Sequence, residues 1–123
     1  MNTPIDIKKR NFGKVEVFEF IWELDETNAD KTFTAIYNAI GDFTWKILIF
    51  NFSWLKYLNS KSIGYIADIF SNIEDGNWQM YLTNMTDEVK DTLELVGITT
   101  IIESLNTEQE ALAKLGITIS PQV

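Results

Sequence analysis

Apolar positions along the chain fall into short runs with two periods. Between Lys14 and Trp22, "KVEVFEFIW" is β-rich, and Val15, Val17 and Phe20 suggest alternation. The preceding "NFG", Asn11 to Gly13, predicts a hairpin turn. It would pair a short first strand near Ile5 to Ile7 with the second. The period then lengthens. Phe33, Ile36, Tyr37 and Ile40 recur at i, i+3, i+4 and i+7, which makes one apolar helix face. Thr27 with Asp30 is a capping-box-like start for that helix, and Gly41 is a fitting stop. "WKILIFNF", Trp45 to Phe52, is an almost unbroken apolar run of strand length. It predicts a strand buried on both faces, with Trp45 as packing.

A second helix is expected to begin between Ser60 and Ile63, to carry Ile63, Ile66, Ala67, Phe70 and Ile73 on one stripe, and to end near Gly76. "WQMYL", Trp78 to Leu82, is the next strand. Thr86, followed by Asp87 and Glu88, opens a third helix striped by Val89, Leu93 and Val96 and closed by Gly97. The acidic pair suits the positive end of the helix dipole. A short strand is expected at Thr100 to Glu103. The last helix starts with a capping box, Thr107 to Glu110, has Leu105 and Ala111 placed as a hydrophobic staple, and ends at Gly116. After the opening hairpin, strands and helices alternate. That order predicts an α/β fold: a mixed, mostly parallel sheet covered by about four helices, with right-handed crossovers. In such sheets, ligands and partners engage the loops at the carboxyl ends of strands.

Composition narrows the function. The 123 residues are 46% hydrophobic, enough for an ordinary core, and no repeat or linker-like stretch interrupts the middle. A single domain over residues 1–123 is expected, with its core at about 13–116 and Pro4 and Pro121 in short tails. The formal charge of −8 argues against nucleic acid or anionic lipid as the main partner, because neither gains from counterion release here; it favours a basic protein partner. The chain has no cysteine and no histidine. Disulfides, thiolate nucleophiles, cysteine-based zinc sites, Ser-His-Asp triads and imidazole acid/base chemistry are thereby excluded. There is no Gly-rich phosphate loop and no EF-hand spacing, so no cofactor is expected and the enzyme reading is weak. "MNTPIDIKKRN" lacks the apolar core of a signal peptide, and no apolar run is long enough to span a bilayer; the expected compartment is the cytoplasm.

Three stretches resemble one family. "ELDETNAD", Glu23 to Asp30, is similar to the "GELD…TA" signature of STAS domains, the family of bacterial anti-sigma factor antagonists. "IFNFSWLKYLNSKSIGYI" resembles that family's pattern of a hydrophobic strand, "DLS", a hydrophobic pair and "DSSGLG". "ELVGITTIIESLNTEQEAL", Glu94 to Leu112, resembles its "GL…II…T.EEAL" ending. The resemblance implies a STAS-like fold and a regulatory switch. Such proteins bind a serine-kinase anti-sigma factor and so free a sigma factor for transcription. The kinase phosphorylates a hydroxyl at the amino end of the second helix, which ends the complex. Other members serve stress-signalling or lipid-transport assemblies. At the switch this chain departs from the pattern. Lys61 stands where the family is most often phosphorylated, Asn59 replaces the first acid of the motif, and Asn51 replaces the aspartate of "DLS". Asp25, Ser53, Ser60 and Gly64 are retained. Some stressosome-type members phosphorylate the hydroxyl right after the aspartate, which here is Ser60.

Each residue of the switch region has two readings. Ser60 is a helix cap or a phosphoacceptor, and Ser62 is the alternative for either. Lys61 opposes the helix dipole and is either simply solvated or in contact with an acid on a partner. Asp25 is turn chemistry or a partner-facing acid. Gly64 inside a helical stripe suggests close packing against a strand or partner. Trp54 and Tyr57, expected in the loop beside Asn59, are candidate interface anchors. Three functions stay open: a phosphorylation-controlled binding module, monomeric or weakly dimeric; a constitutive STAS scaffold or accessory subunit; and a small-ligand binder at the strand-end crevice.

Overall fold

The chain enters the fold as a hairpin, as its turn chemistry predicts. In a computed structural model that describes residues 5–76 and 78–117, β1 (Asp6–Phe12) pairs antiparallel with β2 (Val15–Leu24), Phe12 opposite Val15. Gly13 takes the turn at φ +60, where a side chain would be strained. Pro4 and Pro121 lie outside the described residues. From β2 onward every pairing is parallel: β2 with β3 (Ile47–Leu58), β3 with β4 (Gln79–Thr83), and β4 with β5 (Glu103–Leu105). The strand order is β1-β2-β3-β4-β5. The helices are α1 (Ala29–Ile40), α2 (Ser60–Asp75), α3 (Asp87–Leu95), α4 (Ile98–Ile101) and α5 (Glu108–Lys114). This is the expected α/β fold with a mixed, mostly parallel sheet.

Period-two alternation divides the core. Phe18 and Phe20 of β2 and Leu48, Phe50 and Phe52 of β3 join Phe33 and Ile36 of α1, Ile66 and Ile69 of α2, and Val89 and Leu93 of α3 in the larger cluster. Phe20 meets Phe50 edge-on at 5.1 Å. Val15, Val17 and Ile49 belong to the second cluster, with Ala111 and Leu112 of α5. Ile49 and its neighbours Leu48 and Phe50 therefore bury opposite faces of β3, which is why that strand is apolar without a break.

Gly41 ends α1 at φ +68, its N–H donating to the Tyr37 carbonyl. Thr86 and Thr107 cap α3 and α5 as expected, accepting from the N–H groups of Val89 and Glu110. Leu105 and Ala111 share the second cluster. Five expectations need correction. The first helix is capped at Asn28, without a side-chain hydrogen bond, and Thr27 is not its cap. The strand expected at Thr100 to Glu103 is instead the single turn α4 followed by β5. Ile98 and Ile102 are both buried at helical spacing, Gly97 turns the chain at φ +81, and the Thr100 hydroxyl donates back to the Gly97 carbonyl at 2.6 Å. The β-branched run reads as a strand, but local hydrogen bonds and the i, i+4 pair override it. Val96 lies beyond the end of α3 and is exposed. β3 continues six residues past Phe52, to Leu58, because β2 remains its partner that far. Trp45 precedes β3 at φ +69 and is 63% exposed, so it is not core packing. Among the described residues, no helix is long and apolar enough to cross a membrane.

Candidate functional site

The carboxyl ends of β2 and β3 are tied together. The Asn59 N–H donates to the Leu24 carbonyl at 3.0 Å. Asn59 then caps α2: its Oδ1 accepts from the Ser62 N–H at 3.0 Å and from the Ser62 hydroxyl at 2.7 Å. Neither serine is the cap. Ser62 is buried with its hydroxyl engaged, whereas Ser60 is the first helical residue and is exposed. Asparagine caps as well as serine does, so the sequence made Asn59 a candidate equal to either serine.

Asp25 forms the neighbouring turn. Its Oδ1 accepts from the Thr27 N–H at 2.9 Å and the Thr27 hydroxyl at 2.6 Å. These bonds hold the carboxyl below the usual carboxylate range, the hydroxyl bond first. Asn28 locks the turn from the other side, accepting from the Asp25 N–H at 3.0 Å and donating to the Glu23 carbonyl at 2.9 Å. Turn chemistry thus accounts for Asp25 in the free protein.

Lys61 does not stand alone against the dipole. Its ammonium lies 2.9 Å from Asp30 Oδ2, and the Tyr65 hydroxyl donates to Asp30 Oδ1 at 2.6 Å. Tyr65 and Lys61 lower the Asp30 carboxyl, and Asp30 raises Lys61. The pair is exposed and adds little stability. What it does is join the first turns of α1 and α2, above the Phe33–Tyr65 stack at 4.8 Å. Tyr37 of α1 bonds Asp68 of α2 further along the same seam.

Trp54 and Tyr57 are strand residues of β3, not loop residues, and both are exposed, Trp54 at 62%. Trp22, which sequence reasoning took only as a strand residue, joins them at 58% exposure. β2 slips register against β3 at Glu19/Ile21 and again at Trp22/Glu23. Ile21 faces Trp54, Trp22 faces Leu55 and Glu23 faces Tyr57. The slips leave Trp22 at φ +98, and the Lys56 ammonium lies 5.0 Å from its ring centre. β4 pairs with β3 only from Ile47 to Asn51 and β1 with β2 only to Ile21, so Trp22 and Tyr57 sit on a two-stranded ribbon, with Trp54, opposite Ile21, where that ribbon begins. The trace of the bulges in the sequence is the loss of alternation around Phe20.

Behind this surface, Asn51 is buried. Its amide donates to Glu108 Oε1 at 2.8 Å, and its Oδ1 accepts from the Ser53 N–H at 2.9 Å and hydroxyl at 2.6 Å. Arg10 grips both Glu108 oxygens, at 2.7 and 2.6 Å. Burial pushes the Glu108 carboxyl up, but Arg10 and Asn51 together hold it below its ordinary value.

Gly64 is exposed on α2, and a Cβ built on it would meet no atom within 4 Å. The expected close packing against a strand is absent. Gly64→Ala should therefore gain about 1 kcal/mol of helix propensity. Thermal melting should rise by about 4 °C; a lower midpoint would show a contact that the open space does not predict.

The family model described as "STAS domain" matches residues 6–111. Over 112 residues the chain is 25% identical to an anti-sigma-B factor antagonist of Listeria monocytogenes, covering 89% of this chain and 95% of that one. Among solved structures it is similar to an anti-sigma-factor antagonist (STAS) domain protein from Planctomyces limnophilus, with a TM-score of 0.80 at 19% identity over 92% of this chain and 99% of the other. It is similar too to the anti-sigma factor antagonist SpoIIAA. The unphosphorylated form gives a TM-score of 0.74 at 20% identity over 93% and 100% of the two chains; the phosphorylated Bacillus form gives 0.69 at 19% identity over 89% and 99%.

Proposed function

The chain belongs to the STAS domain family, and from that premise we propose that it is a regulatory binding module of the anti-sigma factor antagonist type, switched at Ser60. Its function is binding rather than catalysis. Its partner is a protein, a serine-kinase anti-sigma factor, met in the cytoplasm. The observation that supports the reading is the division of labour at the start of α2. Asn59 does the capping and holds Ser62, while Ser60 stands exposed. A hydroxyl with no capping role can be modified without loss of the helix start. A phosphate there would meet the positive end of α2 and the neighbouring Lys61. It would add about −1.5 to −2 charges, so the partner rather than the fold would feel the change. Asp25, Trp54, Tyr57, Asn59 and Lys61 surround Ser60 in this reading and form the contact surface with Trp22.

The test is incubation with the cognate kinase and ATP, followed by mass spectrometry. Phosphate is expected on Ser60 and lost in Ser60→Ala. Ser60→Asp should weaken partner binding about tenfold, roughly 1.4 kcal/mol, and leave the melting temperature nearly unchanged. Modification at Ser62 alone moves the site. The second reading, a constitutive scaffold, draws on the Lys61–Asp30 ion pair, which fills the family's usual acceptor position with a fixed cation. No modification together with normal binding by Ser60→Asp would favour it.

A further inference from the structure

The described residues include three non-glycine positions at positive φ: Trp22, Trp45 and Asn84. Asparagine tolerates that region, but tryptophan rarely enters it. Trp22 belongs to the surface already described. Trp45 does not. It precedes β3, Lys14 precedes β2 and Trp78 precedes β4, so the three gather at the amino ends of parallel strands. Ser60 follows the carboxyl end of β3. At about 3.3 Å per residue, the 12 residues of β3 set the two surfaces roughly 40 Å apart.

The Trp45 and Trp78 rings lie 4.9 Å apart, and the Lys14 ammonium lies 5.8 and 5.9 Å from their centres. Trp45 remains 63% exposed, so burial does not offset its backbone strain. Beside Trp78 opens a cleft of about 180 Å³ along the start of β4, where Phe70 and Ile101 supply apolar lining and Glu74, Gln79 and the Lys114-paired Glu103 supply polar lining. Glu74 and Asp75 close α2, whose last turn carries no basic residue. Two carboxylates therefore stand at the negative end of a helix dipole, the end that favours cations. Neither makes an ion pair among the described residues. The exposed Trp45 indole stacked on the half-buried Trp78, the apolar side chains of Phe70 and Ile101, and the unpaired Glu74 and Asp75 at a helix carboxyl end specify the chemistry that completes them.

We propose that the cleft beside Trp78, with the exposed Trp45 ring stacked at its margin, is a second docking surface, which takes a cationic amphipathic segment of another protein while the Ser60 surface stays free. The module then connects two partners at once, whether or not Ser60 is a switch.

The probe is a synthetic amphipathic helix of about 14 residues, leucine on one stripe and lysine and arginine elsewhere, with a glutamate counterpart as control. The readout is the indole N–H signals of the ¹⁵N-labelled protein. The cationic peptide is expected to shift Trp45 and Trp78 and to leave Trp22 and Trp54 in place. Reversing the rim in Glu74→Lys/Asp75→Lys should weaken it tenfold or more. Trp45→Gly, which suits the left-handed backbone, should keep or raise the melting temperature and still lose affinity. Equal binding of both peptides, shifts at Trp22 and Trp54 first, or unaltered affinity in either variant would overturn the proposal. So would concentration-dependent broadening of Trp45 without peptide, which would mean that a second copy of this chain covers the cleft.

Discussion

Asn51→Asp, which introduces the aspartate of the "DLS" pattern that this stretch resembles, is expected to destabilise this chain by about 2–3 kcal/mol and to lower its melting temperature by roughly 10 °C. The introduced carboxylate could still accept from the Ser53 N–H and hydroxyl, the bonds that Asn51 Oδ1 now takes. It could not donate to Glu108, whose Oε1 lies 2.8 Å from the Asn51 amide. Both side chains are buried, so two carboxylates would meet where water is excluded. Arg10 is already committed to both Glu108 oxygens. One carboxylate of such a pair keeps a proton that the unfolded chain has released.

That gives opposite pH signatures. In the native chain the Glu108 carboxyl titrates below its ordinary value. Its stabilising contribution is full above the unfolded pKa and is lost as the pH falls through the folded one. In the variant the shared proton raises a folded pKa. Stability is then favoured at lower pH and lost as the pH rises through that value. Urea unfolding at about pH 7 and about pH 5 should show the deficit of the variant shrinking on acidification. Adding Glu108→Gln to Asn51→Asp returns a donor to the pair and should recover part of the loss. An equal deficit at both values, or none at neutral pH, would sink the idea that Asn51 is present as a donor.

The same residue shows how far the sequence could be read. Periodicity located β2, β3 and β4 and the helices α1, α2, α3 and α5, although α2 buries Ser62, Ile66, Ile69 and Ile73, with Ile63, Ala67 and Phe70 of the expected stripe only half-buried, and Val96 falls outside α3. It misplaced β5, since Ile98, Ile101 and Ile102 look like a strand until the turn at Gly97 is known. Spacing could align Asn51 with an aspartate, but its partner Glu108 is 57 residues away and enters only through tertiary contact. Capping shows a subtler limit. The rule that ranks asparagine with serine was available, and Asn59, Ser60 and Ser62 all fitted it. Only the extended backbone of Asn59 and its two bonds to Ser62 decide which residue caps. Trp22 was illegible for another reason. Bulges insert residues out of phase, so alternation cannot say which side chain emerges.

Those bulges lead to the largest expected effect on binding. Trp54→Ala should cost about 2 kcal/mol of partner affinity, near 30-fold, if the ribbon end is the contact surface. The indole is 62% exposed in the free protein, so its removal takes little from the core and the melting temperature should hardly move. Trp22 offers the sharper contrast. At φ +98 and 58% exposed, its backbone is strained, and the Lys56 ammonium lies over its ring. A residue in that conformation lowers the stability of the free protein, and only contacts of the ring in a complex can offset that cost. Trp22→Gly removes the strain together with the indole, so the free protein should be as stable as before or more so, while its affinity falls. Calorimetric titration with the serine-kinase partner proposed above, set beside thermal melts of the free variants, separates the two readings. Lower melting temperatures with unaltered affinity would make both tryptophans structural. Lost affinity with melting held or raised would mean that β2 tolerates a strained bulge for the sake of what it presents.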